Sequence, residues 1–342
     1  MSLNNIVEHA SQHGSSELKR IDYLDGWRGI AISLVLIAHF FPVKGLDIGR
    51  MGVDVFFVLS GMLMSNILFV KRVPLGIFYK RRISRILPAF FIFISTISLL
   101  SWGFDLSKEH HNYLYNLFFI RTYWPESPDI WHAGIPIGHL WSLNAEEHCY
   151  ILLSLITLFA AVAKRAYIPI FVMGFGSIFL HYLYVKVPSI ASANYNLKTE
   201  IVGSFLMISA GYFLIKDKFE KYVPAWAPIL SFMLAFMCYS EYAPYWSMQW
   251  IVSPFLLAFS VNHLNRTPEL FKKLLSFPLL RLLGIWSFSI YLWQQPFYYY
   301  GVREGSPTPI TGLMLMLLSI IVGLVSFHII ENPVRRYLNN QW

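Results

Sequence analysis

The sequence predicts an all-α polytopic membrane protein, a bundle of about ten transmembrane helices with both termini in the cytoplasm. Three observations carry this. The 342 residues are 56% hydrophobic and 17% aromatic but only 13% charged, whereas soluble domains run near one quarter charged. Apolar stretches long enough to cross a bilayer of about 30 Å fall near 24–42, 52–70, 86–104, 139–163, 166–186, 199–215, 222–239, 247–264, 282–300 and 310–330. With the N-terminus inside, nineteen of the 27 Lys and Arg fall in inner segments and seven in outer loops, Arg28 lying within the first span. The positive-inside rule then fixes both ends in the cytoplasm.

The same distribution accounts for the net charge of +8, so no nucleic acid partner is implied. Residues 1–21 read as a polar cytoplasmic tail rather than a signal peptide. Residues 22–336 form the membrane domain, and 337–342 a second short tail. Cys149 and Cys238 both sit in apolar segments, which gives neither a disulfide framework nor a metal-binding spacing. No internal repeat and no appended soluble domain is expected.

The first span carries Arg28 and His39, eleven residues apart. At about 100° and about 1.5 Å per residue they share one helix face, roughly 16 Å apart along the axis. Ionisable groups inside a span are costly, so they are functional candidates by default. The alternative has Arg28 reaching to the interface and His39 bound to a carbonyl. The second span opens with Asp54, which a short outer turn brings to a depth similar to that of His39. A carboxylate beside an imidazole fixes its tautomer and prepares a general base. Asp54 could equally cap its own helix.

The third span is preceded by Tyr79-Lys80-Arg81-Arg82-Ile83-Ser84-Arg85, with Arg82 and Arg85 on one helix face. Such a cluster is either a topogenic signal or a phosphate site, because guanidinium forks match phosphate oxygens. The outer loop at 105–138 is rich in His110, His111, Tyr123, Trp124, Trp131 and His132, with Pro125, Pro128 and Pro136. It suits an interface anchor or a cover over a cavity. In the fourth span His139, Ser142, Glu146 and Tyr150 form a polar stripe, with Glu147 and His148 facing elsewhere. So many polar groups cannot face lipid, and they imply a cavity or an internal network. Tyr291, Gln294 and Gln295 lie deep in the ninth span, and Pro333 ends the last helix.

Together these stretches resemble the acyltransferase-3 family of integral membrane acyltransferases. The matches are Leu-Asp-Gly-Trp-Arg-Gly (24–29) with the Arg28–His39 spacing, Gly-Val-Asp-Val-Phe-Phe-Val-Leu-Ser-Gly (52–61) and Arg-Arg-Ile-Ser-Arg-Ile-Leu-Pro (81–88). His-Leu-Trp-Ser-Leu-Asn-Ala-Glu-Glu (139–147), Tyr-Leu-Trp-Gln-Gln-Pro (291–296) and Glu-Asn-Pro-Val-Arg-Arg (331–336) follow in the family's order. Six in order across 22–336 make the resemblance strong. It implies transfer of an acyl group, usually acetyl, from cytoplasmic acyl-coenzyme A to a hydroxyl of a cell-surface glycan or its lipid-linked precursor. His39 matches the family's essential histidine, Arg28 its basic partner, Arg82 and Arg85 its Arg-x-x-Arg, and Glu146 and Glu147 its paired glutamates. Three departures stand out. Gln294 occupies a position where many members have histidine, so no catalytic role is carried there. His148 and Cys149 replace the commoner Gln-Phe. No hydrolase-like domain is expected after the last span, so a second transfer step would be expected to fall to a separate periplasmic protein.

The resulting expectation is an O-acyltransferase of the bacterial inner membrane, acting on a surface polysaccharide such as O-antigen or exopolysaccharide. His39, Asp54, Glu146 and Glu147 are the expected catalytic residues, with His39 oriented by Asp54 or Glu146. Arg28, Arg81, Arg82, Arg85, His139, Ser142, Tyr150 and Tyr291 are the expected substrate-binding residues. No metal and no permanently bound cofactor is expected; acetyl-coenzyme A is a co-substrate, and lipid, acyl-coenzyme A and the glycan are the partners. A covalent acyl-enzyme on Ser142 or Ser60 is an open alternative mechanism. A flippase for a lipid-linked saccharide is the alternative function.

Overall fold

The computed structural model describes residues 21–41, 43–106, 112–124, 130, 135–159, 163–243, 247–303, 305 and 308–341. The N-terminal tail up to residue 20 and His110, His111, Pro125, Pro128, Trp131 and His132 of the expected outer loop lie outside them. The described residues are mostly helical and form no strand beyond one isolated antiparallel bridge between Leu46 and Ser240.

Each of the ten apolar stretches is helical over most of its length. In chain order the helices are α1 Asp22–Phe40, α2 Ile48–Ser65, α3 Leu75–Gly103, α4 Asn112–Leu117, α5 Trp141–Thr157 and α6 Tyr167–Lys186. They continue as α7 Thr199–Phe213, α8 Ala227–Met237, α9 Ser253–Asn262, α10 Glu269–Leu275, α11 Pro278–Tyr298, α12 Pro309–Ser326 and α13 Asn332–Gln341, so Pro333 lies in the first turn of a helix rather than ending the last one as expected. Four of these segments are long and apolar enough to cross a bilayer: Ile48–Val70, Leu75–Gly103, Tyr167–Lys186 and Pro309–Gln341. Glu269–Leu275 with Pro278–Arg303 makes a fifth among the described residues if this pair, bent by 53°, is one span. The bend has a local cause. Pro278 opens α11 and Phe277 before it is extended, as a residue preceding proline prefers. The other stretches are shorter or more polar than the sequence reading assumed: α1 holds Asp22, Asp25 and Arg28, and α8 has only 11 residues.

Burial separates centre from rim. In the Ile48–Val70 helix 61% of the apolar window is buried, against 17% in Tyr167–Lys186. The rim helices expose Val172, Phe175 and Phe179 on α6 and Met314, Leu317 and Ile321 on α12. An outward apolar belt of this kind suits lipid rather than water. The core side of α1 and α2 buries Trp27, Ala31, Val35, Met51, Val55 and Val58 in one cluster with residues of α5, α7 and α9.

One contact positions the site. Gly26 and Gly29 of α1 lie against the carbonyls of Leu275 and Leu280, and Gly284 of α11 lies against that of Asp25. A Cβ at any of the three would overlap backbone, so the helices close to a distance only glycine allows. Gly284 packs beside Gly29, and ten residues further along each helix Gln294 meets His39. The two helices therefore run parallel. Beyond the glycines Ile32, Leu36 and Phe40 of α1 pack with Ile290 of α11.

Candidate functional site

A cavity of about 320 Å³ opens between α1, α2, α3, α5 and α11. Its polar wall is made by Arg28, Ser60, Arg82, Arg85, Ser142, Glu146, Tyr150, Ser287 and Tyr291, and its apolar wall by residues such as Phe56, Phe57 and Phe288. Of the expected polar stripe, Ser142, Glu146 and Tyr150 recur every four residues on one face of α5 and line the cavity, whereas His139 does not.

The three arginines differ in what they already hold. Arg28 Nη1 lies 2.9 Å from Asp25 Oδ1, one turn back on α1. Arg82 Nη2 donates to Glu147 Oε1 at 2.7 Å, and its guanidinium lies over the Tyr150 ring, 3.6 Å from the centroid. Arg85 has no ion-pair partner among the described residues. Arg81 is exposed and does not reach the cavity.

Glu146 accepts hydrogen bonds from Ser60 of α2 and Tyr150 of its own helix. Its neighbour Glu147 is off the cavity wall and occupied by Arg82. Tyr291 donates to the His139 carbonyl at 2.9 Å, and its hydroxyl lies 2.7 Å from Ser142 Oγ. The His139 ring is buried behind that wall, 5.6 Å from Phe93 and 5.1 Å from Tyr291 between centroids.

His39 sits just past the cavity rather than on its wall. Its Nδ1 is hydrogen-bonded to Gln294 Oε1 at 2.7 Å, and its ring is stacked on Tyr298 at 4.2 Å. Gln294 follows Tyr291 by three residues, about 4.5 Å along the helix. The imidazole is thus about one turn of α11 beyond the polar wall.

Two expectations about its orientation are corrected. Asp54 is fully buried, and Arg50 Nε reaches both its oxygens at 3.0 and 3.1 Å. Tyr239 donates to the same carboxylate at 2.9 Å. Asp54 therefore meets neither His39 nor its helix N-terminus, where Asp47 caps by accepting from the Arg50 amide. The Arg50 guanidinium lies between Trp141 and Trp250, 4.9 and 4.4 Å from their centroids. Glu146 is likewise held by Ser60 and Tyr150.

Gln294, Tyr298, Arg50 and Ser60 are the residues that sequence reasoning left without these roles. The Arg50–Asp54 pair has a readable signal in its four-residue spacing. Tyr298 likewise follows Gln294 by four. Nothing in the sequence links Gln294 to His39, 255 residues away.

On the opposite face of α5 His148 Nδ1 is 2.8 Å from Thr199 Oγ1. Beside it Tyr123 donates to Glu200 at 2.6 Å. Tyr123 lies outside the helices, and burial pushes its phenol well above the ordinary value. Trp124, at its side, is exposed and donates to the Tyr115 hydroxyl at 2.9 Å.

Fold and site define a helical membrane protein enclosing a polar cavity with arginines on its wall. Residues 21–329 match the family model described as an acyltransferase domain, and the chain belongs to that acyltransferase-3 family. It is 28% identical to a Staphylococcus aureus (strain COL) protein named as an O-acetyltransferase, over 94% of this chain and 59% of that one. It is 25% identical to the O-acetyltransferase OatA of Staphylococcus aureus (strain NCTC 8325 / PS 47), over 92% of this chain and 57% of OatA. The chain thus spans a little under three fifths of the length of these relatives. No solved structure matches it.

Proposed function

We propose that the chain is a membrane O-acyltransferase that moves an acyl group, acetyl first among them, from cytoplasmic acyl-coenzyme A to a hydroxyl. The acceptor we assign is a cell-surface polysaccharide or its lipid-linked precursor, such as O-antigen or exopolysaccharide. The observation that carries the reading is the convergence of Arg28, Arg82 and Arg85 on one cavity whose polar wall leads to His39. The names of the relatives support the choice of acetyl.

Coenzyme A is a phosphorylated carrier with a long thioester arm. Arg85, which makes no close ion pair among the described residues and feels Glu331 only through its field, is the cation best placed to take its phosphates, with Arg28 and Arg82 adding positive field. About 320 Å³ lies at the low end of small-molecule sites, which suits the acylated arm rather than the whole carrier. The arm passes Ser142 and Tyr291 to bring the thioester towards His39. His39 takes the proton of the acceptor hydroxyl as that oxygen attacks the thioester carbonyl. The carbon–sulfur bond breaks, and the proton passes from the imidazolium to the leaving thiolate. An ester and free coenzyme A are the products. Asp54 and Glu147 hold structure in this scheme.

The test is chemical. Mass spectrometry of surface glycans should show ester-linked acyl groups in cells with the intact gene and none in cells without it. Identical glycans in the two strains would remove the reading.

The same proposal has all ten stretches crossing the membrane in the bacterial inner membrane, with both termini cytoplasmic, on the strength of the nineteen-to-seven charge bias. Single cysteines replacing Lys71 and Asp105, which flank α3 and are exposed, should label from opposite sides. Labelling of both from one side would overturn that topology.

A further inference from the structure

We infer that Gln294 is the positioning residue for His39, holding the imidazole in the tautomer with hydrogen on Nδ1 and a free lone pair on Nε2. This rests on the proposal that His39 is the base.

The argument starts from the amide. Gln294 is fully buried, its Oε1 is 2.7 Å from His39 Nδ1, and its Nε2 donates to Gln295 Oε1 at 3.2 Å. An amide oxygen only accepts, so the nitrogen facing it must carry the hydrogen. Gln295 is buried as well and turns its own oxygen to the Gln294 amide nitrogen. The alternative has both amides turned over, with Gln294 donating to Nδ1, and it leaves the hydrogen on Nε2.

A free histidine side chain favours hydrogen on Nε2, the wrong nitrogen for a base that must accept there. A partner that only accepts at Nδ1 reverses that preference. Tyr298, four residues on along the same helix, stacks on the ring with an interplanar angle of 15° and limits its rotation. The glutamine thus supplies what a carboxylate supplies elsewhere, without adding a second buried charge.

The experiment uses the full-length protein labelled with ¹⁵N-histidine. The His39 signal is identified by its absence from His39→Gln. The wild type should show Nδ1 protonated and Nε2 bare, and Gln294→Met, which has no acceptor, should move the hydrogen to Nε2. In cells, Gln294→Met should lower glycan ester content at least about tenfold, while coenzyme A binding to the purified protein stays within about twofold. Gln294→Glu keeps an acceptor oxygen and should restore the Nδ1-protonated form and most of the ester. Hydrogen on Nε2 in the wild type, or normal ester content in Gln294→Met, overturns the inference. If His39→Gln itself keeps normal ester content, the base assignment falls instead. The two failures are therefore separable.

Discussion

Replacing His39 with alanine abolishes measurable acyl transfer while leaving insertion, purified yield and coenzyme A binding intact. The expectation follows from the separation of parts. The arginines on the cavity wall belong to the start of α1 and to α3, whereas His39 lies beyond the wall with Gln294 and Tyr298. Removing the imidazole touches none of the arginine contacts. General-base assistance contributes about 10²–10⁴-fold, and the loss of a positioned hydroxyl adds to it. His39→Gln is the sharper variant, because an amide keeps polarity and size but takes no proton near neutral pH. It should be as inactive as the alanine. Near-normal turnover in His39→Gln would make the imidazole structural.

Arg85→Ala should weaken acyl-coenzyme A binding by roughly 10- to 100-fold, measured as Kd on the purified protein. Hydrogen bonds to charged groups contribute about 1.5–3 kcal/mol, and about 1.4 kcal/mol is tenfold in affinity. Arg85→Lys keeps the charge but loses the planar fork, so it should fall between the two. Arg82 should fail differently. Its guanidinium is committed to Glu147 and the Tyr150 ring, so Arg82→Ala strands a largely buried carboxylate, at a cost of up to about 3–5 kcal/mol. Lower yield and a lower Tm are the expected signs there, ahead of any binding defect. Equal binding by Arg85→Ala and wild type would leave that side chain with a topological role alone.

These contrasts mark where the sequence stops being readable. The helices are legible because each is an apolar run, and the cavity face of α5 is legible because Ser142, Glu146 and Tyr150 repeat at a helical period. The arginine pair of α3 is legible for the same reason. What periodicity cannot supply is which face of one helix meets which face of another. Asp54 and His39 look adjacent across a short turn, yet Arg50, one turn before Asp54, is nearer and oppositely charged. Local pairing won. Arg82 and Glu147 read as members of separate sites because 65 residues part them. The Gln294 partnership is hidden further still, since a neutral amide gives no electrostatic clue to its target.

Under the proposed mechanism, the parallel seam of α1 and α11 also sets the order in which the protein becomes active. His39 belongs to the first helix described and Gln294 to a helix 255 residues later, and glycine-lined backbone contact brings them together. A chain emerging into the bilayer carries its imidazole for most of its synthesis with no acceptor opposite Nδ1. Until α11 docks along α1, the cavity also lacks the wall that Ser287 and Tyr291 provide. Under the proposed mechanism, unfinished copies are therefore inert until the bundle has closed.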